Sequence, residues 1–377
     1  MTDKSKPDYQ LLLAASILVG IGIVMVYSAS AMVADQRFHS TTYFFKRQLI
    51  WFAISLPIMI LAMRVDYHFL QKMALPLLAI SLVLLVVVLF RPPVNGVRRW
   101  IRFGPLGFQP SELFRYAFII FLSGSLARRL GKIKQFKYFF IPYFPILTIG
   151  ALLVIREPDL GTTLSIGLTV FLLLFMAGAK LRHLAMVALP TLAAVLVLIF
   201  GLGYERDRID DYVKSIHNPM EGSYQVKQSI LSLGSGGIMG VGLGQGKQKL
   251  LFLPEPHTDF ILANIGEEGG FMLLGVILTL FAMLGWRGLR IAFRAEDHFG
   301  LFLALGITSS IMITFMINAG VISGMLPTTG LPLPFLSYGG SSLLLNLTGI
   351  GVLLNISRQG CNRRESKVVG KSALWQE

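Results

Sequence analysis

His257, Asp259, Glu267 and Glu268 stand close together in the chain, at and just inside the start of a long apolar stretch. A helix rises 1.5 Å per residue, so one starting here carries Glu267 about 12 Å from Asp259 along its axis. A charge at the centre of a bilayer costs at least ~2.5–3.5 kcal/mol, so such groups must face a cavity, a partner or the interface. Thr258 and Asp259 are also N-cap residue types, and a carboxylate suits the positive end of a helix dipole. Both readings of Asp259, cap and reactive carboxylate, stay open on the residues alone.

Other charges are equally concentrated. Glu112 and Arg115 follow Gln109-Pro110-Ser111 at i, i+3, either as an ion pair at a helix entrance or as a charged cavity wall. Arg156-Glu157-Pro158-Asp159 separates two apolar runs, with Asp159 placed to cap the second or to face a cavity. Residues 205–258 hold the basic groups Arg206, Arg208, Lys214, Lys227, Lys247 and Lys249, a glycine-dense stretch over 234–246, and the ending Glu255-Pro256-His257. Glycine there lets backbone N–H groups approach an anion, and a merely flexible loop would look alike. Pro327, Pro332 and Pro334 break helical regularity in an uncharged apolar segment, 324–340. There is no Cys/His metal spacing and no nucleophile elbow.

The elements that carry these residues are set by composition. The 377 residues are 54% hydrophobic and 14% charged, with mean hydropathy +0.66, against roughly 25% charged in a soluble domain. A disordered chain, a coiled coil and a soluble enzyme of ordinary make-up are excluded. A net charge of +14 is then read as a membrane feature, with no nucleic acid implied. The single cysteine, Cys361, rules out an internal disulfide. The expectation is an all-α integral membrane protein with ten transmembrane helices, at about 10–33, 48–64, 73–90, 106–127, 138–155, 160–179, 184–204, 259–286, 299–326 and 337–357. Lys4 and Lys6 before the first run resemble a signal peptide, but the run is long enough to read as an uncleaved helix. The Lys+Arg excess falls on the side of the termini. Both ends are therefore expected in the cytoplasm, with 205–258 as one long extracytoplasmic loop before helix 8 and 358–377 as a basic cytoplasmic tail. Two function classes fit: a transporter, and an intramembrane enzyme acting on a lipid.

The chain resembles the SEDS family of bacterial cell-wall polymerases, the FtsW/RodA type, over about residues 10–358. The resemblance is carried by Gly96-Val97-Arg98-Arg99-Trp100-Ile101, Gln109-Pro110-Ser111-Glu112-Leu113, Pro158-Asp159-Leu160-Gly161-Thr162, Gly222-Ser223-Tyr224-Gln225, Leu253-Pro254-Glu255 through Phe260, Glu267-Glu268-Gly269, and Pro332 through Ser342. Phe44-Phe45-Lys46-Arg47, Ala177-Gly178-Ala179-Lys180 and Met325-Leu326-Pro327-Thr328 look closer to the division branch.

This resemblance implies a ten-helix SEDS-type fold in the bacterial cytoplasmic membrane and polymerisation of lipid II into β-1,4 glycan strands. It implies Asp259 as the key carboxylate, a class B penicillin-binding protein transpeptidase as partner, and divisome or elongasome components around it. Lipid II flipping, or proton-coupled transport, is the alternative. On this reading Asp259 is the candidate general base. Candidate pyrophosphate or cavity residues are Arg99, Glu112, Arg115, Asp159, Arg206, Arg208, Lys247, Lys249, Glu255, His257, Glu267, Glu268 and Ser337. A divalent cation, Mg or Mn, held by Asp259, Glu267 or Asp159, could share the work of the cations. The family usually has Lys where this chain has Arg115, which cannot give up its proton.

Overall fold

In a bilayer, helices gain nothing by hiding apolar surface from lipid, so close packing and polar contacts must order them. The computed structural model describes residues 7–93, 96–104, 106–217, 222–249 and 254–373. Lys4, Lys6, Leu253 and residues 374–377 of the expected tail lie outside them. The first helices are α1 (Tyr9–Phe38), α2 (Tyr43–Arg64) and α3 (His68–Leu89), followed by a short antiparallel hairpin, β1 (Ile101–Phe103) with β2 (Leu106–Phe108), Arg102 facing Gly107. Then come α4 (Pro110–Arg129), α5 (Phe136–Phe140), α6 (Phe144–Arg156), α7 (Leu160–Met176) and α8 (Leu181–Leu196), the last continued by a π turn over Val197–Gly201. The final elements are α9 (Arg206–His217), α10 (Tyr224–Gly236), α11 (Ile261–Phe293), α12 (His298–Ile322) and α13 (Gly340–Ala373).

Among the described residues, eight helical segments are long and apolar enough to cross a membrane, and α7 is a shorter apolar helix. The helix α4, with Glu112 and Arg115, overlaps the expected span 106–127. Three expectations change. The stretch 106–127 does not start as a helix, because 106–108 pair in the hairpin and Gln109, held extended before Pro110, delays the start. The expected loop 205–258 carries two helices, the second capped by Ser223, whose hydroxyl accepts from the Val226 N–H at 3.3 Å. The helix that carries the last span, apolar over Gly340–Gly360, runs on to Ala373, so the expected tail is helical where it is described.

The centre of the bundle is α12, packed against α4, α7 and α11, while α13 lies along α2. Side chains on every face of α12 are buried, whereas α8 turns Met186, Leu189 and Leu192 outward. Helix ends are fixed by side-chain caps: Asp8 accepts from Leu11 N–H at 3.1 Å, Asp159 from Thr162 N–H at 3.0 Å, and Asp297 from Gly300 N–H at 3.1 Å.

At Gly22 the helix α1 touches the irregular segment before α13. A Cβ there would meet the Phe335 carbonyl oxygen at 2.5 Å and the Leu336 Cα at 2.8 Å. Backbone on both sides cannot yield as a side-chain tip would. Gly22→Val is expected to destabilise the protein by about 1–3 kcal/mol, read as a lowered Tm in detergent; an unchanged Tm would show that this contact is not close.

Candidate active site

Two non-helical segments meet under α12: 254–260, leading into α11, and 323–339, leading into α13. They are laced together. Asn318 of α12 donates through Nδ2 to the carbonyls of Asp259 and Leu331, both at 2.8 Å. The Ser337 hydroxyl donates to the Thr258 carbonyl at 2.5 Å and accepts from the Leu333 N–H at 2.8 Å. The Tyr338 N–H donates to the His257 carbonyl at 2.9 Å. Ser337, a candidate cavity residue, is thus a splint between the segments. His257 is buried, its ring packed against Phe44 and Tyr338. Desolvation pushes its pKa down to about 4, so it is neutral at pH 7.

The lacing fixes the backbone of Asp259 and leaves its carboxyl free of it. The cap of α11 falls on Phe260 without a side-chain hydrogen bond, so Asp259 is not spent as a cap. No ion pair holds it among the described residues. Its side chain is half-buried by surface, yet enough protein surrounds it that desolvation raises the carboxyl above the usual aspartate range; the Thr258 hydroxyl, its own N–H and Arg99 act against that. The side chains of Asp259 and Arg99 approach Gly330 from two directions.

Arg99 is a cation whose charge acts on Asp259. Its Nε donates to the Glu157 carbonyl at 2.7 Å, which anchors the arginine to the α6–α7 turn. In that turn Asp159 is fully engaged: Oδ2 accepts from Thr162 Oγ1 at 2.9 Å and from Gln109 Nε2 at 3.0 Å, while Oδ1 accepts from the Thr162 N–H at 3.0 Å. Its capping role therefore holds, and it braces the start of α4 through Gln109. Glu157 is buried, and neither carboxyl oxygen has a hydrogen-bond partner. Desolvation, with Asp159 adding to it against Arg99, pushes its pKa up to about 9, so it is a neutral acid at pH 7.

Glu267 and Glu268 are taken by the glycine-rich segment 237–249, a run of turns and bends. The helix α11 breaks at Gly270 (φ 65°). Across the break the carbonyls of Glu267 and Glu268 accept from the Val241 and Gly242 N–H groups, both at 3.0 Å. The N–H groups of Phe271 and Met272 donate back to the carbonyls of Gly237 and Ile238, at 2.9 and 3.1 Å. The two carboxylates then bind the rest of the segment. Glu267 accepts from the Lys247 N–H at 2.8 Å, and Glu268 from the Gly244 N–H at 2.9 Å and Lys249 Nζ at 2.6 Å, with Ser28 of α1 beside them. Lys249 is buried in this pair, which removes it from the cations available to a substrate.

Glu112 and Arg115 form a buried ion pair inside α4, and Arg115 also donates to Thr314 of α12 at 3.0 Å. Arg208 pairs with Glu205 at 2.6 Å and reaches the Thr328 carbonyl at 3.4 Å, which places it at the edge of the 323–339 segment. Arg206 pairs with Asp210 on an exposed face of α9, and Glu255 pairs with Arg37 at the rim. The Lys247 side chain is exposed. Asn318 and Gln109 escaped the sequence reading; an Asn inside the apolar run 299–326 was the available signal for the first. Among the described residues no group of three His, Cys, Asp or Glu side chains could hold a metal. Of the acids expected for Mg or Mn, Asp159 and Glu267 already have protein donors, which leaves Asp259 as the one without such a partner from another element.

The family profile described as cell cycle protein, covering FtsW, RodA and SpoVE, matches residues 9–362. The chain is 42% identical over 354 residues to a probable peptidoglycan glycosyltransferase FtsW of Geobacter sulfurreducens, 93% of this chain and 95% of that protein. It is 43% identical over 362 residues to stage V sporulation protein E of Bacillus subtilis, covering 95% and 98%. It also resembles a chain solved in work on the structural coordination of polymerization and crosslinking by a peptidoglycan synthase complex, with TM-score 0.77, 27% identity and coverage of 94% and 98%. The crystal structure of Thermus thermophilus RodA matches at TM-score 0.67 and 27% identity, over 93% and 97%.

Removing Glu268 alone strands a buried ammonium. Glu268→Ala should cost about 3–5 kcal/mol, and Glu268→Leu with Lys249→Met much less; equal losses in the single and double variants, by thermal unfolding, would refute the pairing. Glu157 gives a pH signature. Its folded pKa is raised, so the unfolded chain sheds the proton from about 4.5 while the folded protein holds it to about 9. Stability from this group therefore falls as pH climbs through that window. Glu157→Gln, neutral and nearly isosteric, should gain Tm over wild type progressively across it; parallel Tm–pH curves would contradict the assignment.

Proposed function

The chain belongs to the family of cell cycle proteins that contains FtsW, RodA and SpoVE, and from that membership we infer that it is a peptidoglycan glycosyltransferase of the FtsW branch. It is a multi-pass protein of the bacterial cytoplasmic membrane that polymerises lipid II, and it works with a penicillin-binding protein transpeptidase, of class B in our reading, that crosslinks the product. We read ten helices as crossing the membrane, with both termini cytoplasmic and 205–258 on the outer side.

For the chemistry we propose that Asp259 is the general base. The observation that carries this is its carboxyl: of the acids brought near the junction of the two irregular segments, Asp159 is held by three donors, Glu157 is buried and neutral and Glu255 pairs with Arg37, while Asp259 has a fixed backbone, a half-buried carboxyl with no ion pair and a raised pKa. A base works best with its pKa near the operating pH. The acceptor sugar 4-hydroxyl gives its proton to Asp259 as its oxygen attacks the donor anomeric carbon. The bond from that carbon to the lipid pyrophosphate breaks, inversion leaves a β-1,4 link, and the pyrophosphate departs with the bonding pair. Charge grows on that leaving group, and Arg99, tethered to Glu157 and facing the same Gly330, is placed to meet it; Arg208 at the neighbouring edge is a second cation. Arg115 sits in its buried pair and acts on α4 packing, which suits a residue unable to exchange protons. The transport alternative required a relay of buried carboxylates, and Asp159, Glu267 and Glu268 are committed to capping and clamping instead.

Gel-resolved glycan from purified lipid II tests this, using the chain co-purified with its transpeptidase and a β-lactam to silence crosslinking. Asp259→Asn should keep the Tm and the complex and lower polymerisation by about 10²–10⁴-fold; near-normal turnover in a folded variant would remove Asp259 as the base.

A further inference from the structure

Gly330 lies between the carboxyl of Asp259 and the guanidinium of Arg99, with its Cα bare toward both. A Cβ on it would stand 3.6 Å from Asp259 Oδ2 and 3.9 Å from Arg99 Nη1, and no other described atom outside its chain neighbours is within 4 Å. Those two distances laid end to end keep the two groups within about 7.5 Å of each other. No ion pair of 4.0 Å or less joins them. A gap therefore stays open over Gly330, with a proton acceptor on one side and a cation on the other.

The floor of this gap is fixed from several directions. The Thr328 carbonyl accepts from Arg208 at 3.4 Å, and the Leu331 carbonyl from Asn318 at 2.8 Å. Gly161, in the first turn of α7, presses on the residue between: a Cβ there would meet the Thr329 carbonyl oxygen at 2.8 Å. Gly330 itself has φ 71°, in the left-handed region that a residue with a Cβ enters only at a cost. A side chain at 330 would clash with nothing; it would fill the gap.

The width of the gap suits the reaction. An acceptor oxygen poised for attack stands about 3–3.5 Å from the anomeric carbon, and the leaving oxygen is bonded on the far side, so the two oxygens are roughly 4.5–5 Å apart. A base and a cation at this spacing can each reach one of them, at about 2.6–3.2 Å, from the same side. The carbon between the oxygens then faces Gly330. We propose that Gly330 is the surface on which the donor's anomeric carbon rests, its missing side chain clearing the place between Asp259 and Arg99. The inference rests on Asp259 being the base: the acceptor oxygen bonds to that carbon and passes its proton to Asp259, while the pyrophosphate oxygen leaves toward Arg99 with the bonding pair.

Gly330→Ala and Gly330→Asn are compared with Gly178→Ala in the full chain co-purified with its transpeptidase, reading Tm, and kcat and KM for polymer made from lipid II. Gly178, just after α7, has φ 82° and no atom within 4 Å of a Cβ, so its alanine carries the same backbone strain with no gap to fill. Gly330→Ala should lower kcat by about 10²-fold with KM little changed, and Gly330→Asn should lower it further, while Gly178→Ala keeps polymerisation. Strain alone gives the reverse order, because Asn adopts positive φ more readily than Ala. Near-normal kcat in either folded Gly330 variant, a loss carried by KM alone, or a faster enzyme with Asn than with Ala would each overturn the proposal. So would equal losses at Gly178 and Gly330, or failure of both Gly330 variants to fold where Gly178→Ala folds. Asp259→Asn runs alongside. An active Gly330→Ala beside an inactive Asp259→Asn fails this inference alone, whereas an active Asp259→Asn fails the reading beneath it.

Discussion

Backbone that leaves the helix where it is buried must find its hydrogen bonds within the protein, because packed side chains and lipid offer none. This chain leaves the helix in two regions that matter, the junction of 254–260 with 323–339 and the break at Gly270, and much of the structure answers to that demand. At the junction, Asn318, Ser337 and the Tyr338 N–H satisfy carbonyls that no helix could. At the break, the segment 237–249 supplies partners, two N–H groups and two carbonyls exchanged with α11. Glycine at 240 and 270 is what allows this. A Cβ on Gly240 would lie 2.2 Å from the Glu268 carbonyl oxygen, and one on Gly270 as near to the Gly240 nitrogen.

The same demand sorts the charges. A buried charge is tolerable when paired and hydrogen-bonded, and nearly every interior acid here meets that condition. Glu268 has Lys249, Glu112 has Arg115, Asp159 has Gln109 and Thr162, and Glu267 has the backbone of the 237–249 segment. Glu157 meets the condition differently, by staying protonated. Against this background, Asp259 stands out because its main chain is locked by Asn318 while its carboxyl is held only by its chain neighbours, the Thr258 hydroxyl and its own N–H. A scaffold that neutralises its other acids leaves the reactive one distinguishable on physical grounds. The tether of Arg99 to the Glu157 carbonyl then sets a cation beside it without neutralising it.

The irregular segments also explain how a bundle of plain apolar helices holds a site in place. The 254–260 segment leads into α11, the 323–339 segment runs from α12 into α13, and α12 supplies the polar side chain that bridges them. Gly22 brings α1 onto the second segment, so the helix carrying Ser28 touches both irregular regions. Packing of α1 therefore bears on the clamp and on the site at once.

Composition and hydropathy determined the class of the fold, since a chain so apolar and so poor in charge has no soluble solution. Motif spacing singled out the acids worth attention, and the stop of helicity at prolines 327, 332 and 334 was legible as well. What sequence could not give was the pairing of those acids. Glu267 and Glu268 follow closely after Asp259 in the chain, so linear distance grouped them, but a kink at one glycine and a returning segment gave them different partners. Lys249 read as a free cation because nothing local shows that it folds back onto Glu268, 19 residues away. The loop 205–258 read as irregular because its helices are short and its glycines dense; burial of α10 against α11 stabilises what local propensity does not. Asp159 as a cap could be read in sequence, because capping is local. Asp259 as an uncapped carboxyl could not, because its freedom is decided by Asn318 and Ser337, which approach from distant parts of the chain.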